Sequence, residues 1–330
     1  MRTTEGRDTG GMAGKETRHG VELTNLDQPL FADAGVPKRA LVDYLDAVHD
    51  RLVPVLADRP LSVIRTTGDA PFMQKNLPRY APEWVARVAL WADASRRDVT
   101  YALCNDRRTL LWFANQRAVE YHPTLGRADH LDHPTHLVLD LDPPEGAGFG
   151  AAVMAAELIH HVLDDVGLAG AVKTSGAKGA HVFVPVDPAT SAEDAAAATR
   201  AIAQRAERLD PSVATTAFLK ADRGGKVFLD ATRAGGATVV AAYSPRARPG
   251  VPVSFPVSWE SLADIAPTDF TITSAIDLLG DGDPWTEAMP AAQALPADLL
   301  AQGREIPTPR VAAMHEGKRR KRAAAPKGRG

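Results

Sequence analysis

The sequence predicts a mixed α/β protein in which an antiparallel-rich sheet carries helices on one side. Short apolar strands outnumber the helices between them, so the chain does not follow the strict strand–helix alternation of a doubly wound sheet. The composition is that of an ordinary globular protein, with 45% hydrophobic and 24% charged residues in a chain of 330. This length provides for one large domain or two smaller ones.

Several classes of protein are excluded by what the sequence lacks. No apolar run approaches the roughly 18 residues that a membrane span needs. The first 20 residues, MRTTEGRDTGGMAGKETRHG, contain no apolar stretch of the signal-peptide kind, and they predict a disordered leader. Cys104 is the single cysteine, which rules out an internal disulfide and a cysteine-rich zinc site. We therefore expect a cytoplasmic protein without membrane contact.

The charge is unevenly distributed along the chain. The net charge is −3, but the segment from Lys318 onward, KRRKRAAAPKGRG, carries seven Lys/Arg and no acid. The rest of the chain has 31 basic against 41 acidic residues, about ten net negative charges. Residues 301–330 therefore predict a basic, flexible tail that contacts phosphate non-specifically, or a solvated terminus without a partner.

The first part of the chain predicts one helix followed by short strands. In KRALVDYLDAVHDRLVPVLADRP the apolar residues recur at helical spacing, at Leu41, Tyr44, Leu45, Val48 and Leu52. Between residues 61 and 120 the predicted strands are LSVIRTT, YALCN and LLWFANQ. We expect an N-terminal α/β module of about residues 21–120 and a catalytic core of about residues 121–300.

The second part predicts the core elements in turn. A strand over 137–142 precedes the helix GFGAAVMAAELIHHVLDDVG, which Gly167 closes. VKTSGAKGAHVFVPV then predicts two strands joined by a glycine-rich turn. TSAEDAAAATRAIAQRAERLDP predicts a helix with Ser191 as its N-cap and Pro211 as its stop. KVFLDAT and TVVAAYS predict the last two strands.

Two carboxylates interrupt an otherwise apolar strand in HLVLDLDPPEG. Because side chains alternate along a strand, Asp140 and Asp142 share one face with Val138. Two like charges on one face repel each other unless a cation lies between them or the strand end is wet. The same Asp-x-Asp pattern is found in haloacid-dehalogenase-type phosphatases and in metal-dependent glycosyltransferases, so the pair alone does not select a function.

A third strand-end carboxylate favours a metal site. KVFLDAT places Asp230 and Phe228 on one face of another short apolar strand. Three carboxylates at neighbouring strand ends are suited to two divalent ions roughly 3.5–4 Å apart, the arrangement used for phosphoryl or nucleotidyl transfer.

Groups suited to phosphate stand near these acids in the sequence. Lys173 and Ser175 end a strand at a turn in which Gly176 and Gly179 allow close approach of a ligand, and His181 opens the return strand. Arg246 and Arg248 in YSPRARPG are expected to share a strand face and to clamp phosphate. Taken singly, the first motif is equally consistent with a hairpin turn and the second with a solvated edge.

These motifs together resemble a known family. The chain is similar to the polymerase domain of bacterial ATP-dependent DNA ligase D. The resemblance is carried by HLVLDLDPPEG, VKTSGAKGAHVFVPV, KVFLDAT and YSPRARPG, and by the upstream stretches LTNLDQPLFADAGVPK, DRPLSVIRTTGDAPFMQKNLPRYAPEW and EYHPTLGRADHLDHPTHLVLDLDP. That domain belongs to the archaeo-eukaryotic primase superfamily. The resemblance covers roughly residues 21–290 and leaves no room for a ligase or nuclease module, as expected of a stand-alone homologue.

The resemblance implies a fold and a set of site residues. The fold would be a primase-type catalytic core with an RRM-like antiparallel sheet beside the N-terminal α/β module. The implied metal ligands are Asp140, Asp142 and Asp230, and the implied nucleotide-binding residues are Ser175, His181, Arg246, Lys173 and, near the sugar, His122. The implied DNA contacts are Phe72, Lys75, Arg223, Arg233, Arg248 and Lys38, the last at the 5′-phosphate of a downstream strand.

The activity implied by the resemblance is template-dependent addition of NTPs or dNTPs at gaps and broken DNA ends. It would use two Mn²⁺ or Mg²⁺ ions and act alongside Ku and a separate ATP-dependent ligase at the nucleoid. Three positions depart from the family pattern, namely Gln28, Met73 and Ala237. They favour the alternative of a catalytically weak module that binds DNA ends, and a DxD phosphatase is the second alternative.

Overall fold

The computed structural model describes residues 16–67, 70–92, 96–234 and 237–308. The strands are β1 Glu16–Arg18, β2 Val21–Leu23, β3 Leu61–Arg65, β4 Phe72–Gln74, β5 Arg87–Ala92, β6 Arg97–Ala102, β7 Ala118–Pro123, β8 His136–Asp142, β9 Ala171–Thr174, β10 Ala180–Pro185, β11 Ala214–Thr215, β12 Val227–Asp230 and β13 Pro256–Val257. The α-helices are α1 Lys38–Ala47, α2 His49–Leu56, α3 Arg107–Asn115, α4 Phe149–Asp165, α5 Ala192–Leu209, α6 Ala275–Leu279, α7 Pro284–Ala288 and α8 Ala297–Glu305. Within these described ranges no helix is both long and apolar enough to cross a bilayer.

The central sheet has six strands in the order β11–β12–β8–β10–β9–β13. Every pairing is antiparallel except that of β11 with β12. The inward leucines of β8, at 137, 139 and 141, are fully buried, and helices α4 and α5 pack against this sheet. This confirms the predicted α/β class with an antiparallel-rich sheet.

The predicted helix and strand signals hold for most of the core. Ser191 caps α5 by accepting from the Asp194 amide, and Gly167 ends the α4 region with a positive φ of 70°. β9 and β10 form the antiparallel pair predicted around the glycine-rich turn.

Two predicted strands are wrong. LLWFANQ lies in α3, because Asp106 accepts a hydrogen bond from the Thr109 amide and starts a helix there. A continuous apolar run does not itself distinguish a buried helix from a buried strand. TVVAAYS forms no regular strand. The amides of Val239 and Ala241 donate to β7 carbonyls, but the chain then turns at Tyr243, which has a positive φ of 65°.

Other boundaries differ by a few residues. The predicted first helix is two helices, α1 and α2, which meet at Val48. Part of the predicted leader forms β1, which pairs with β2, and α8 extends to residue 305 of the predicted tail. The tail lysines and arginines from Lys318 onward lie outside the described residues.

The N-terminal module packs directly onto the core. Its sheet has the order β4–β3–β6–β5 with β7 also paired to β3, so the boundary predicted at residue 120 falls inside β7. The Tyr44 hydroxyl donates to the Tyr243 carbonyl at 2.9 Å, and Arg51 donates to two carbonyls of the 280–282 loop. Apolar residues from both parts form one continuous buried cluster.

Candidate nucleotide and metal site

A row of polar residues crosses four neighbouring strands of the central sheet. In the register Asp230 of β12 lies opposite Asp140 of β8, His181 of β10 lies opposite Asp140, and Lys173 of β9 lies opposite His181. Directly opposite residues of antiparallel strands point to the same side, so all four side chains share one face. Asp142, two residues after Asp140, extends the row toward the end of β8.

This face opens into a cavity of about 360 Å³. Its lining brings together most of the residues predicted from the sequence, namely Asp140, Asp142, Ser175, His181, Arg223, Asp230, Arg233, Arg246 and Arg248. Three of the remaining predicted residues lie in the N-terminal module, and Lys173 and His122 do not line the cavity.

The acids of the row are held by cations. Arg233 Nη2 lies 2.7 Å from Asp140 Oδ2 and 3.1 Å from Asp230 Oδ2. Burial alone would raise the pKa of Asp140, but His181 and Arg233 hold that pKa well below its usual value. Asp142 lies 3.3 Å from the Lys178 ammonium and 3.4 Å from Arg223. Asp140 is therefore ionised, as a metal ligand has to be.

The donor set fits a divalent cation. Asp140 Oδ2 and Asp230 Oδ2 converge on one positively charged nitrogen, and carboxylate oxygens are the ligands that Mg²⁺ and Mn²⁺ prefer. Within the described part of the chain no three His, Cys, Asp or Glu side chains are grouped so as to hold one ion, and Arg233 lies between Asp140 and Asp230. Asp140 and Asp230 would hold such an ion, with Asp142 beside them.

The glycine-rich turn forms one wall of the cavity. A Cβ on Gly176 would lie 2.6 Å from Arg246 Cγ, and one on Gly179 would lie 2.1 Å from the Leu141 carbonyl oxygen. Gly176 also has a positive φ of 67°, so both positions need glycine, as the motif predicts. The Ser175 hydroxyl accepts from the amides of Ala177 and Gly179, which folds the turn against the site.

Lys173 does not line the cavity, and its predicted helper role in nucleotide binding stays a prediction. The side chain is fully buried, and its ammonium lies 2.8 Å from His181 Nδ1 and 2.5 Å from Ser254 Oγ. Ionised Asp140 only accepts, so His181 donates to it from Nε2, 3.3 Å away, and the neutral ring accepts from Lys173 at Nδ1. Burial, together with Lys173, lowers the pKa of His181 to about 4, so the ring is neutral at pH 7.

Glu120 organises a second layer behind the cavity. Its Oε2 lies 2.9 Å from His122 Nε2 and 3.0 Å from Arg246 Nε, and its Oε1 accepts from the Ala247 amide. Burial opposes the negative charge, but His122 and Arg246 lower the pKa of Glu120 to about 2. Glu120 therefore fixes both the predicted sugar-side histidine and a cavity arginine.

Two contributors to this site were missed in the sequence. Glu120 precedes His122 by two residues on β7, so strand alternation places them on one face and was the available signal. Lys178 stands inside the quoted glycine-rich turn, between Gly176 and Gly179. Its ammonium donates to the Pro143 carbonyl beside Asp142.

The predicted arginine pair is placed differently from the expectation. Arg246 and Arg248 lie in a turn and not on a strand, because the Arg248 amide donates to the Arg246 carbonyl. The Arg246 guanidinium also donates to the Ser175 carbonyl, which ties the two loops together. Both arginines nevertheless line the cavity.

The predicted DNA contacts of the N-terminal module are split between surface and interior. Phe72 is 42% exposed on β4, with the Arg65 guanidinium 5.9 Å from its ring centre, and Lys75 is exposed. Lys38 is only 2% exposed, and its ammonium donates to the Thr24 carbonyl and to Asn115 Oδ1. The Lys38 amide already donates to the Gln28 carbonyl, so the predicted phosphate seat at this helix start is filled by protein groups.

Comparison with known proteins agrees with this geometry. The family model described as LigD, primase-polymerase domain, matches residues 37–285. The multifunctional non-homologous end joining protein LigD of Mycolicibacterium smegmatis is 33% identical over 257 residues, which cover 76% of this chain and 34% of that protein. The bifunctional non-homologous end joining protein LigD of Bacillus subtilis is 33% identical over 263 residues, 78% of this chain and 42% of that protein.

The fold is shared with a solved structure. The polymerase domain from Mycobacterium tuberculosis ligase D in complex with DNA has a TM-score of 0.74 and 30% identity, covering 81% of this chain and 97% of that one. Fold and site together define a primase-type enzyme, a class of DNA-directed nucleotidyltransferases. Within this class the chain belongs to the LigD primase-polymerase family, which confirms the resemblance carried by its motifs. It spans 34–42% of the length of these two curated relatives.

Proposed function

We propose that this protein adds nucleotides to DNA at gaps and broken ends, on a template and with two Mn²⁺ or Mg²⁺ ions. The observation that carries the proposal is the register that sets Asp230 opposite Asp140, with Asp142 on the same face. Bound divalent ions would activate the attacking 3′-hydroxyl and neutralise charge on the triphosphate. Asp140, Asp142 and Asp230 hold and orient these ions.

The cationic wall of the cavity is suited to the incoming triphosphate. Lys178 and Arg246 approach from the glycine-rich turn and from the 244–248 loop, and Ser175 with its neighbouring amides lies between them. His181 presents its Nε2 proton to Asp140, so it orients that ligand and not a free phosphate in the present arrangement. His122, held by Glu120, stands behind Arg246 on the side we assign to the sugar.

The DNA is expected to run from the cavity toward the exposed part of the N-terminal module. Phe72 offers a ring for base stacking, and Lys75, Arg223 and Arg248 offer cations for backbone phosphates. The relatives are end-joining proteins, which favours a role in end joining. In that role the protein would act beside Ku and a separate ATP-dependent ligase at the nucleoid. The family match favours nucleotidyl transfer over a DxD phosphatase.

The test is primer extension on a gapped duplex, with NTPs and dNTPs compared under Mn²⁺ and under Mg²⁺. We expect templated incorporation that stops without template and without divalent ions. Binding of gapped DNA without incorporation under any of these conditions would instead establish the catalytically weak end-binding module. Turnover of p-nitrophenyl phosphate without nucleic acid would establish the phosphatase.

A further inference from the structure

Arg233 occupies an unusual position between two acids of the row. Its Nη2 lies 2.7 Å from Asp140 Oδ2 and 3.1 Å from Asp230 Oδ2, so one nitrogen is shared by two carboxylates from neighbouring strands. The two residues lie opposite each other in the β8–β12 register. The guanidinium thus lies between the two carboxylates that would hold a divalent ion.

The chain after β12 is folded so that Arg233 returns over the acids. Asp230 Oδ1 accepts from both the amide and the hydroxyl of Thr232, at 2.9 and 2.6 Å, which turns the backbone just before Arg233. The opposite oxygen, Oδ2, remains for the arginine. The position is therefore built by local hydrogen bonds and is not a chance surface contact.

The guanidinium is partly exposed and incompletely hydrogen-bonded. The side chain is 32% exposed, and its Nε, though buried, has no hydrogen-bond partner in the described part of the protein. An ion bound by both Oδ2 atoms at about 2.0–2.1 Å would claim the same space, so the ion and this arginine position exclude each other.

We propose that Arg233 competes with the divalent ion for Asp140 and Asp230. The guanidinium pairs with these two carboxylates until nucleotide and ion arrive together. A triphosphate in the cavity offers the guanidinium an alternative anionic partner with bidentate geometry. Ion and nucleotide then bind cooperatively, and each raises the affinity of the other by the same factor. The inference rests on the proposed nucleotidyl transfer and assigns to Arg233 the control of ion loading.

The experiment measures Mn²⁺ binding to the full chain by the electron paramagnetic resonance signal of free Mn²⁺. Each protein is titrated alone and with a non-hydrolysable α,β-methylene nucleoside triphosphate. For the wild type we expect weak binding of Mn²⁺ alone and at least about tenfold tighter binding with the analogue, within the usual range of coupling between sites. Arg233→Gln should bind Mn²⁺ alone at least about tenfold more tightly than the wild type and show little further gain with the analogue.

Arg248→Gln is the matched control. It removes the same charge from the same cavity, but in the described structure Arg248 makes no ion pair with the acids. Its Mn²⁺ affinity should stay within about threefold of the wild type, and Arg233→Lys, which keeps the charge, should lie nearer to the wild type than Arg233→Gln.

Two results would overturn the inference while leaving the proposed function intact. The first is that Arg233→Gln and the wild type bind Mn²⁺ with equal affinity, while the wild-type protein still extends primers. The second is equal tightening in Arg233→Gln and Arg248→Gln, which would make net charge the cause. Failure of every protein to bind Mn²⁺, even with the analogue, would reject the metal assignment itself and the inference with it.

Discussion

Two lysines of this protein are almost completely buried, and their surroundings differ in an instructive way. Lys173, in the catalytic sheet, donates to His181 and Ser254, and through His181 it acts on Asp140. Lys38, at the start of α1, donates to the Thr24 carbonyl and to Asn115 and so ties the N-terminal strand region to α3. Both belong to motifs expected to bind phosphate, yet both bind protein groups. A lysine of such a motif can therefore position nearby protein groups by donating hydrogen bonds to them.

The electrostatic situation of the two lysines differs as well. Burial lowers the pKa of Lys173 well below its usual value, Arg246 lowers it further, and Asp140 opposes the shift. Burial, with a smaller contribution from Arg117, lowers the pKa of Lys38 to about 8. The first lysine is thus coupled to the charges of the active site, whereas the second is coupled to a structural arginine.

Among substitutions outside the three aspartates, Lys173→Met is expected to have the largest effect. The substitution removes the donor that fixes the proton of His181 at Nε2, so Asp140 loses an oriented neighbour. Loss of such an outer partner of a metal ligand typically costs about 10–100-fold in activity, and we expect kcat/KM to fall by this factor. Ser254→Ala is the control, since it leaves the contact of Lys173 with His181 in place. Wild-type kcat/KM in Lys173→Met would confine Lys173 to a packing role.

Glu120→Gln should have a smaller effect, seen mainly as a higher KM for the nucleotide. The neutral amide cannot form the 3.0 Å ion pair with Arg246, so the guanidinium loses the charge that holds it beside the cavity. We expect KM for the nucleotide to rise by about tenfold, with kcat changed less. The measurement is steady-state extension across nucleotide concentrations, with Arg246→Lys as the comparison variant. A fall in kcat at constant KM would show that Glu120 does not act through nucleotide binding.

Lys38→Met should change stability more than catalysis. The Thr24 carbonyl and Asn115 Oδ1 lose a charged donor, which costs about 1–3 kcal/mol of the free energy of unfolding. Extension on gaps without a 5′-phosphate should stay near wild type, and so should the ratio of affinities for phosphorylated and unphosphorylated gaps. Denaturant unfolding and binding to both gap types measure this. Loss of phosphate discrimination at unchanged stability would show that the ammonium leaves Thr24 and Asn115 for the phosphate.

A pH dependence of stability is expected from the same residue. The folded pKa of Lys38, about 8, lies below the value near 10.5 for a free lysine. Between these values the unfolded chain binds more protons, so the contribution of Lys38 to stability rises with pH from about 8 to 10.5. The free energy of unfolding of the wild type, relative to Lys38→Met, should therefore increase across this window. A flat difference would place the folded pKa at its free value.

The sequence predicted the faces of the strands but not the pairing between them. Alternation was enough to put Asp140 and Asp142 on one side, and the capping pattern at Ser191 was enough to start α5. That Asp230 lies opposite Asp140 depends on the register, which long-range packing decides. The burial of Lys38 and Lys173 depends in the same way on partners 77 and 81 residues away in the chain. Short-range patterns do not contain these contacts.

The most direct test of the central claim is primer extension on gapped DNA by Asp142→Ala. Asp142 is partly exposed and lines the cavity, so its substitution leaves the buried core intact. A metal ligand supplies several kcal/mol of transition-state stabilisation, and we expect extension to fall by at least about 1000-fold while binding of the gapped duplex is retained. Extension near the wild-type rate at saturating Mn²⁺ would contradict the assignment of the three aspartates as the catalytic centre.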